Sequence, residues 1–175
     1  MSVTKPDQLP EADPTAIARA IVLRKLSASA KTRAELEKVL AERNVPEDVA
    51  QSVLDRFSEV GLIDDQIYAQ IFARSRHEYK GLAPRAISYQ LAAKGVAKSE
   101  IEAALNEITP EMATATATAI AQKKLASMKN VAAEKKLDRL VSFLSRKGYS
   151  ASTCYQVAKS VLAAELTTLD IVEFD

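Results

Sequence analysis

The chain holds a single imidazole, His77, and a single thiol, Cys154. A tetrahedral zinc site of cysteine and histidine ligands needs more than these two, so that chemistry is excluded. A Ser-His-Asp or Cys-His nucleophile would have to use His77 as its base. Flanked by Arg76 and Glu78 on the polar side of its helix, His77 reads instead as a solvated residue. Cys154 occupies an apolar position and reads as a small buried hydrophobe rather than a nucleophile. The four glycines, Gly61, Gly81, Gly95 and Gly148, lie fourteen or more positions apart, so neither a Gly-x-Gly fingerprint nor a P-loop can be written. Asp64-Asp65 might suggest a Mg²⁺ ligand pair, but two adjacent acids without further convergent ligands make a poor hard-cation site. Their position suits an N-cap for a helix beginning near residue 66. No carboxylate spacing supports an enzyme, and no catalytic residue, metal or cofactor is expected.

The basic residues are the better candidates for function. Arg74, Arg76, Lys80 and Arg85 gather around one helix and the turn after it, with Lys94 at the end of the next. Lys123, Lys124, Lys129, Lys135, Lys136 and Arg139 bracket a later link, and Arg146-Lys147 follows. Net charge is only +1, yet residues 109–163 carry nine bases against three acids, while residues 164–175 carry four acids and no base. A solvated surface ordinarily mixes both signs; an excess of one sign points to a polyanionic partner. The spacing of Arg74 and Arg85 across a helix–turn–helix suggests that both point into one groove.

The elements that must hold these side chains are helical. Val49, Val53 and Phe57 form an i, i+4, i+8 stripe; Ile67 with Ile71 and Tyr68 with Phe72 form another, and Ile101 with Leu105 a third. No stretch alternates with period two for long enough to propose a sheet. Pro46, Pro84 and Pro110 suit first-turn positions, and Gly95 and Gly148 suit left-handed residues just past helix ends. Thr32-Arg-Ala-Glu35 and Ser99-Glu-Ile-Glu102 match the capping box. Helices are expected near 15–29, 33–43, 46–59, 65–80, 84–94, 99–107, 111–129, 134–147 and 151–165. The uncharged windows 112–122 and 148–158 fall short of the roughly 20 residues a membrane span needs. The first fourteen residues have no apolar run of the secretory kind. A lone thiol suits a reducing cytosol. A cytoplasmic monomer with no membrane association is expected.

The helices also repeat. Leu36, Leu40, Asn44, Val45, Ala50, Val53, Leu54 and Phe57 align at a constant offset with Ile87, Leu91, Gly95, Val96, Ile101, Ala104, Leu105 and Ile108. Those align in turn with Leu140, Leu144, Gly148, Tyr149, Cys154, Val157, Ala158 and Val161. Each unit is a leading helix plus a helix pair joined by a turn at Asn44, Gly95 or Gly148, and units this small are expected to share core with their neighbours. Tyr68, Phe72 and Tyr149 fall on apolar repeat positions and read as core. The fold class is all-α: three tandem three-helix repeats forming an elongated, curved helical array. The division is a disordered segment 1–14, repeats at 15–64, 65–108 and 109–165, and an acidic tail 166–175.

In order and spacing these motifs resemble the RecX regulatory proteins over residues 16–163. The resemblance rests on Leu62-Ile63-Asp64-Asp65 followed by Tyr68-Ala69 and Phe72, then Lys80-Gly81, then Leu91-Ala-Ala-Lys94-Gly95-Val96. Phe143-Leu144-Ser-Arg146-Lys147-Gly148-Tyr149 completes it. The chain departs from the family pattern at Thr32, where serine is usual, and at Asn44, where glycine is usual; asparagine tolerates a left-handed backbone. The resemblance implies binding to the RecA nucleoprotein filament and restraint of its ATP hydrolysis, filament extension and strand exchange. The rival is direct binding to single- or double-stranded DNA independent of RecA. Aromatics are not interleaved with the basic run, which weakens a single-strand stacking mode.

Overall fold

Helix ends fall where the sequence supplies residues able to satisfy their unpaired backbone groups. The computed structural model describes residues 13–172, with side chains through Glu165. Most of the N-terminal segment and the side chains of the acidic tail lie outside the described residues. Among those described there are nine α-helices and no strand: α1 (Pro14–Ala28), α2 (Arg33–Ala41), α3 (Glu47–Glu59), α4 (Asp65–Lys80), α5 (Pro84–Ala93), α6 (Lys98–Leu105), α7 (Pro110–Ala126), α8 (Ala133–Arg146) and α9 (Ala151–Val172). Pro84 and Pro110 occupy first-turn positions. Thr32 forms the expected capping box: its hydroxyl accepts from Glu35 N at 3.2 Å while Glu35 Oε2 accepts from Thr32 N at 3.1 Å. The turns that join the helix pairs each hold a left-handed residue as expected, with φ of 57° at Asn44, 77° at Gly95 and 91° at Gly148.

Several local expectations are corrected. α6 begins one residue before Ser99, with Ala97 as its cap residue. Ser99 therefore caps nothing; Glu100 accepts from Ala97 N at 3.3 Å, giving half of a capping box without the hydroxyl. Pro46 is the cap residue of α3 rather than its first helical residue. α9 runs on to Val172, since no Gly or Pro interrupts the chain between Tyr149 and that point. In α4 the buried row is Ala69, Ala73 and His77, while Ile67 and Ile71 are 53% and 65% exposed. Small side chains line the side of α4 that packs closely, which leaves the large ones outside.

The chain divides into two compact units, Met1–Tyr68 and Ala69–Asp175. In the first, α1, α2 and α3 all pack on one another. Ala18, Val22, Leu36, Leu40, Val53, Leu54 and Phe57 form their core, closed by Ile63. Arg33 staples this unit: its guanidinium donates to Gln51 Oε1 and to Asp55 Oδ1, each at 2.7 Å. Its backbone N–H donates to Asp65 Oδ1 at 2.9 Å.

In the second unit α5 packs on α6, while α7, α8 and α9 pack on one another around Leu140, Leu144, Tyr149, Cys154, Val157 and Ala158. Ala83, from the turn between α4 and α5, belongs to that same core, so the second and third repeats share it as expected. Backbone bonds reinforce the join. Ala83 N donates to Lys147 O at 2.9 Å, and Lys147 Nζ donates to Lys80 O at 2.7 Å, satisfying a carbonyl at the last residue of α4. Burial follows the repeat register: Leu36, Ile87 and Leu140 are all buried, as are Leu40, Leu91 and Leu144, and so are Ala50, Ile101 and Cys154.

Candidate functional site

His77 is not a solvated residue. It is 2% exposed, because it continues the buried row of Ala69 and Ala73 toward α7. Its Nδ1 lies 2.9 Å from Leu82 O and its Nε2 lies 2.9 Å from Thr116 Oγ1. A carbonyl oxygen only accepts, so Nδ1 donates to Leu82 O, and Nε2 shares the second bond with the Thr116 hydroxyl. The ring thus ties α4 to its own following turn and to α7, with both nitrogens engaged by Leu82 O and Thr116 Oγ1. Cys154 is fully buried, its Sγ 3.5 Å from Tyr149 O, and burial pushes its thiol further up from reactivity. Burial, with Cys154 beside it, pushes the Tyr149 phenol up to about 12.

The acidic pair divides its labour. Asp64 Oδ1 accepts from Ile67 N at 2.8 Å and is the N-cap of α4, as expected. Asp65 instead receives the free first-turn N–H of α2 from Arg33, a tertiary bond across 32 residues that no local pattern announces. Burial raises the Asp65 carboxyl above its ordinary value, and the Arg33 N–H and charge only partly oppose that. Among the described residues no three His, Cys, Asp or Glu side chains are placed to hold a metal ion. No described helix is long and apolar enough to cross a membrane.

The basic candidates fall into distinct groups. Arg74 and Arg76 sit on opposite flanks of α4, as two residues 200° apart on a helix must. Arg74 pairs with Glu107 at 3.5 Å. The Arg76 guanidinium lies 4.7 Å from the centroid of Phe72, and Lys94 Nζ lies 5.9 Å from the same ring. Phe72 and Tyr68 are therefore half-buried rather than core, and Phe72 serves as a platform for two cations. Arg85, in the first turn of α5, is exposed, and so is Lys123 near the end of α7.

In the third repeat the structure brings several candidates together. Lys124 and Lys147 approach the Phe143 ring at 6.0 and 5.7 Å. Lys124, Arg139 and Arg146 line one cleft of about 360 Å³ between the end of α7, the link after it and α8, with Asp138 its single acidic wall residue. A cleft of about 640 Å³ on the first unit makes the contrast: Arg19 and Arg56 there face Asp48, Asp55 and Glu59. In the third-repeat cleft three bases stand against one acid, and that cationic excess is the arrangement that attracts an anion. Sequence reasoning found these cations by type and by excess, but not the aromatic rings that position them.

Comparison with known proteins supplies the family. Models of the first, second and third three-helix domains of RecX match residues 18–57, 64–105 and 111–158. Regulatory protein RecX of Thermobifida fusca is 39% identical over 153 residues, spanning 87% of this chain and 83% of that protein. Regulatory protein RecX of Streptomyces coelicolor is 40% identical over 156 residues, spanning 89% and 83%. The crystal structure of RecX from Lactobacillus salivarius has the same fold, with a TM-score of 0.76 at 22% identity over 86% of this chain and 98% of that one. An all-α repeat fold, three domain matches in chain order and identity near 40% over most of the length place the chain in the RecX family, a family of regulatory proteins and not of enzymes.

Proposed function

We propose that the protein binds the RecA nucleoprotein filament in the cytoplasm and inhibits its ATP hydrolysis, extension and strand exchange during DNA repair and recombination. The observation that carries this reading is the ordered match of all three RecX domains along one chain. Tandem repeats suit a periodic partner, since equivalent faces of successive repeats can meet equivalent faces of successive protomers. Inhibition then needs no chemistry from this chain. It needs binding free energy that differs between filament states, because a ligand with equal affinity for both shifts nothing. The second repeat contributes Arg74 and Arg85 to the contact in this reading, with Arg76, Lys80 and Lys94 beside them.

The test is RecA ATP hydrolysis on single-stranded DNA, measured with and without the protein. Inhibition that saturates with added protein is expected; unchanged hydrolysis at saturating ratios removes the proposal. Reversing Arg74 and Arg85 to Glu weakens inhibition by about tenfold or more if both lie at the contact, since each broken charge pair costs about 1 kcal/mol or more. Helicity measured by circular dichroism stays unchanged. Full inhibition by that variant takes both residues out of the contact.

A further inference from the structure

α8 presents Lys135, Arg139, Ser142 and Arg146 on one line, at i, i+4, i+7 and i+11, and all four are exposed. At about 1.5 Å per residue the line is roughly 16 Å long. Arg139, Ser142 and Arg146 also form one wall of the 360 Å³ cleft, where Lys124 and Ser127 stand opposite and Met128 and Val131 make an apolar floor. Phe143 fixes the approach of Lys124 from α7, at 6.0 Å. The charges are available: among the described residues none of Lys124, Lys135, Arg139 or Arg146 forms an ion pair. Asp138 lines the cleft but stands beside the line rather than on it, about 60° round the helix from Lys135 and about 40° from Ser142. Lys136, one residue off the line, is by contrast neutralised by Glu165 at 2.9 Å.

We infer that this cleft and the line on α8 bind the phosphodiester backbone of a polynucleotide, without regard to base sequence. A row of cations at regular helical spacing matches a linear polymer whose charges recur along its length; an acidic protein patch has no such period. Guanidinium groups and a hydroxyl donor are the side chains that recognise phosphate oxygens. No aromatic residue lines the cleft, so it offers nothing for bases to stack on, and recognition stays with the backbone. Lys135 marks the end of the track nearest the start of α8, and Arg146 the end nearest Gly148. The inference stands apart from filament inhibition and is tested without RecA, so either can fail alone.

The measurement is fluorescence anisotropy of labelled oligothymidylate titrated with the full-length protein across about 50 to 200 mM salt. The wild type binds, with a log-affinity against log-salt slope of roughly −0.7 for each phosphate neutralised. Arg139→Glu with Arg146→Glu lowers affinity by about tenfold or more and reduces the slope magnitude by about 1.4. A control with the same charge change elsewhere, Arg56→Glu with Lys98→Glu, loses no more than about threefold. Arg139→Gln with Arg146→Gln, matched to wild type in helicity and thermal midpoint, shows an intermediate loss and guards against misfolding of the reversal. Equal losses in the control and α8 variants, or a slope unchanged by the α8 substitutions, overturn the inference. So does a wild type that binds polyglutamate but not oligothymidylate at the lowest salt, which would assign the face to an acidic protein.

Discussion

The His77 ring makes both of its hydrogen bonds where water does not reach, so the cost of removing it is set by the partners it leaves behind. His77→Ala strands the Leu82 carbonyl and the Thr116 hydroxyl and opens a cavity between α4 and α7. A destabilisation of about 3 kcal/mol is expected. Thr116→Val, nearly isosteric, removes one bond and leaves Nε2 unpaired, for about 1–2 kcal/mol. Urea unfolding of the two single variants and the double gives a cycle in which the double costs less than the sum, because both remove the same bond. A solvated histidine would cost less than about 0.5 kcal/mol in either background, and that result would sink the relay. The sequence could not announce this residue. Arg76 and Glu78 on either side make its surroundings polar, while Thr116, which explains its burial, lies 39 residues away. Asp65 was illegible for the same reason: the N-cap role belongs to its neighbour, and its own partner comes from α2. What local sequence did carry was residue type, which is why the basic residues were found while the opposite placement of Arg74 and Arg76 against Glu107 and Phe72 emerged only from the fold.

Helix ends and repeat register were legible because they depend on short-range physics: a fixed φ at Pro84 and Pro110, a hydroxyl three residues before a carboxylate at Thr32, a residue tolerant of positive φ after α2, α5 and α8. Turns alike in backbone conformation can still differ in what they touch. Gly61 and Gly148 both have positive φ, 71° and 91°. A Cβ on Gly61 would meet nothing within 4 Å, whereas a Cβ on Gly148 would come within 2.6 Å of Ala86 Cβ and 3.2 Å of Ala86 N on α5. Gly61→Ala should therefore cost only the backbone strain, about 1–2 kcal/mol. Gly148→Ala should add an overpacking penalty and reach about 3 kcal/mol or more. Thermal unfolding of the pair measures the difference, and Ala86→Gly should recover part of the Gly148→Ala loss while leaving Gly61→Ala unrelieved. Equal costs, or no rescue, would show that the α8–α9 turn does not bear on α5 as described. Where the short-range rule failed, at Ser99, the start of α6 moved by one residue and its cap became an alanine.

At the scale of the molecule each of the two compact units has a core of its own, and within the second unit the second and third repeats are joined by shared side chains and backbone bonds. Leu54 sits fully buried among α1, α2 and α3, and Leu144 fully buried among α7, α8 and α9. Truncating either to alanine should remove about 3 kcal/mol from the core that holds it. Hydrogen exchange then reads how far each loss spreads, since protection reports the opening free energy of each cooperative segment. Leu54→Ala is expected to weaken protection throughout α1–α3 and to leave α7–α9 unchanged. Leu144→Ala is expected to weaken α7–α9 and to spread into α5, because Ala83 lies in the affected core and its N–H is held by the Lys147 carbonyl at 2.9 Å. It should spread to the end of α4 as well, through the Lys147 ammonium on Lys80 O and the His77 bond to Thr116. Loss of protection in α7–α9 on Leu54→Ala would mean the chain opens as one cooperative body. Loss confined to α7–α9 on Leu144→Ala would mean the shared core and the Lys147 contacts carry little free energy.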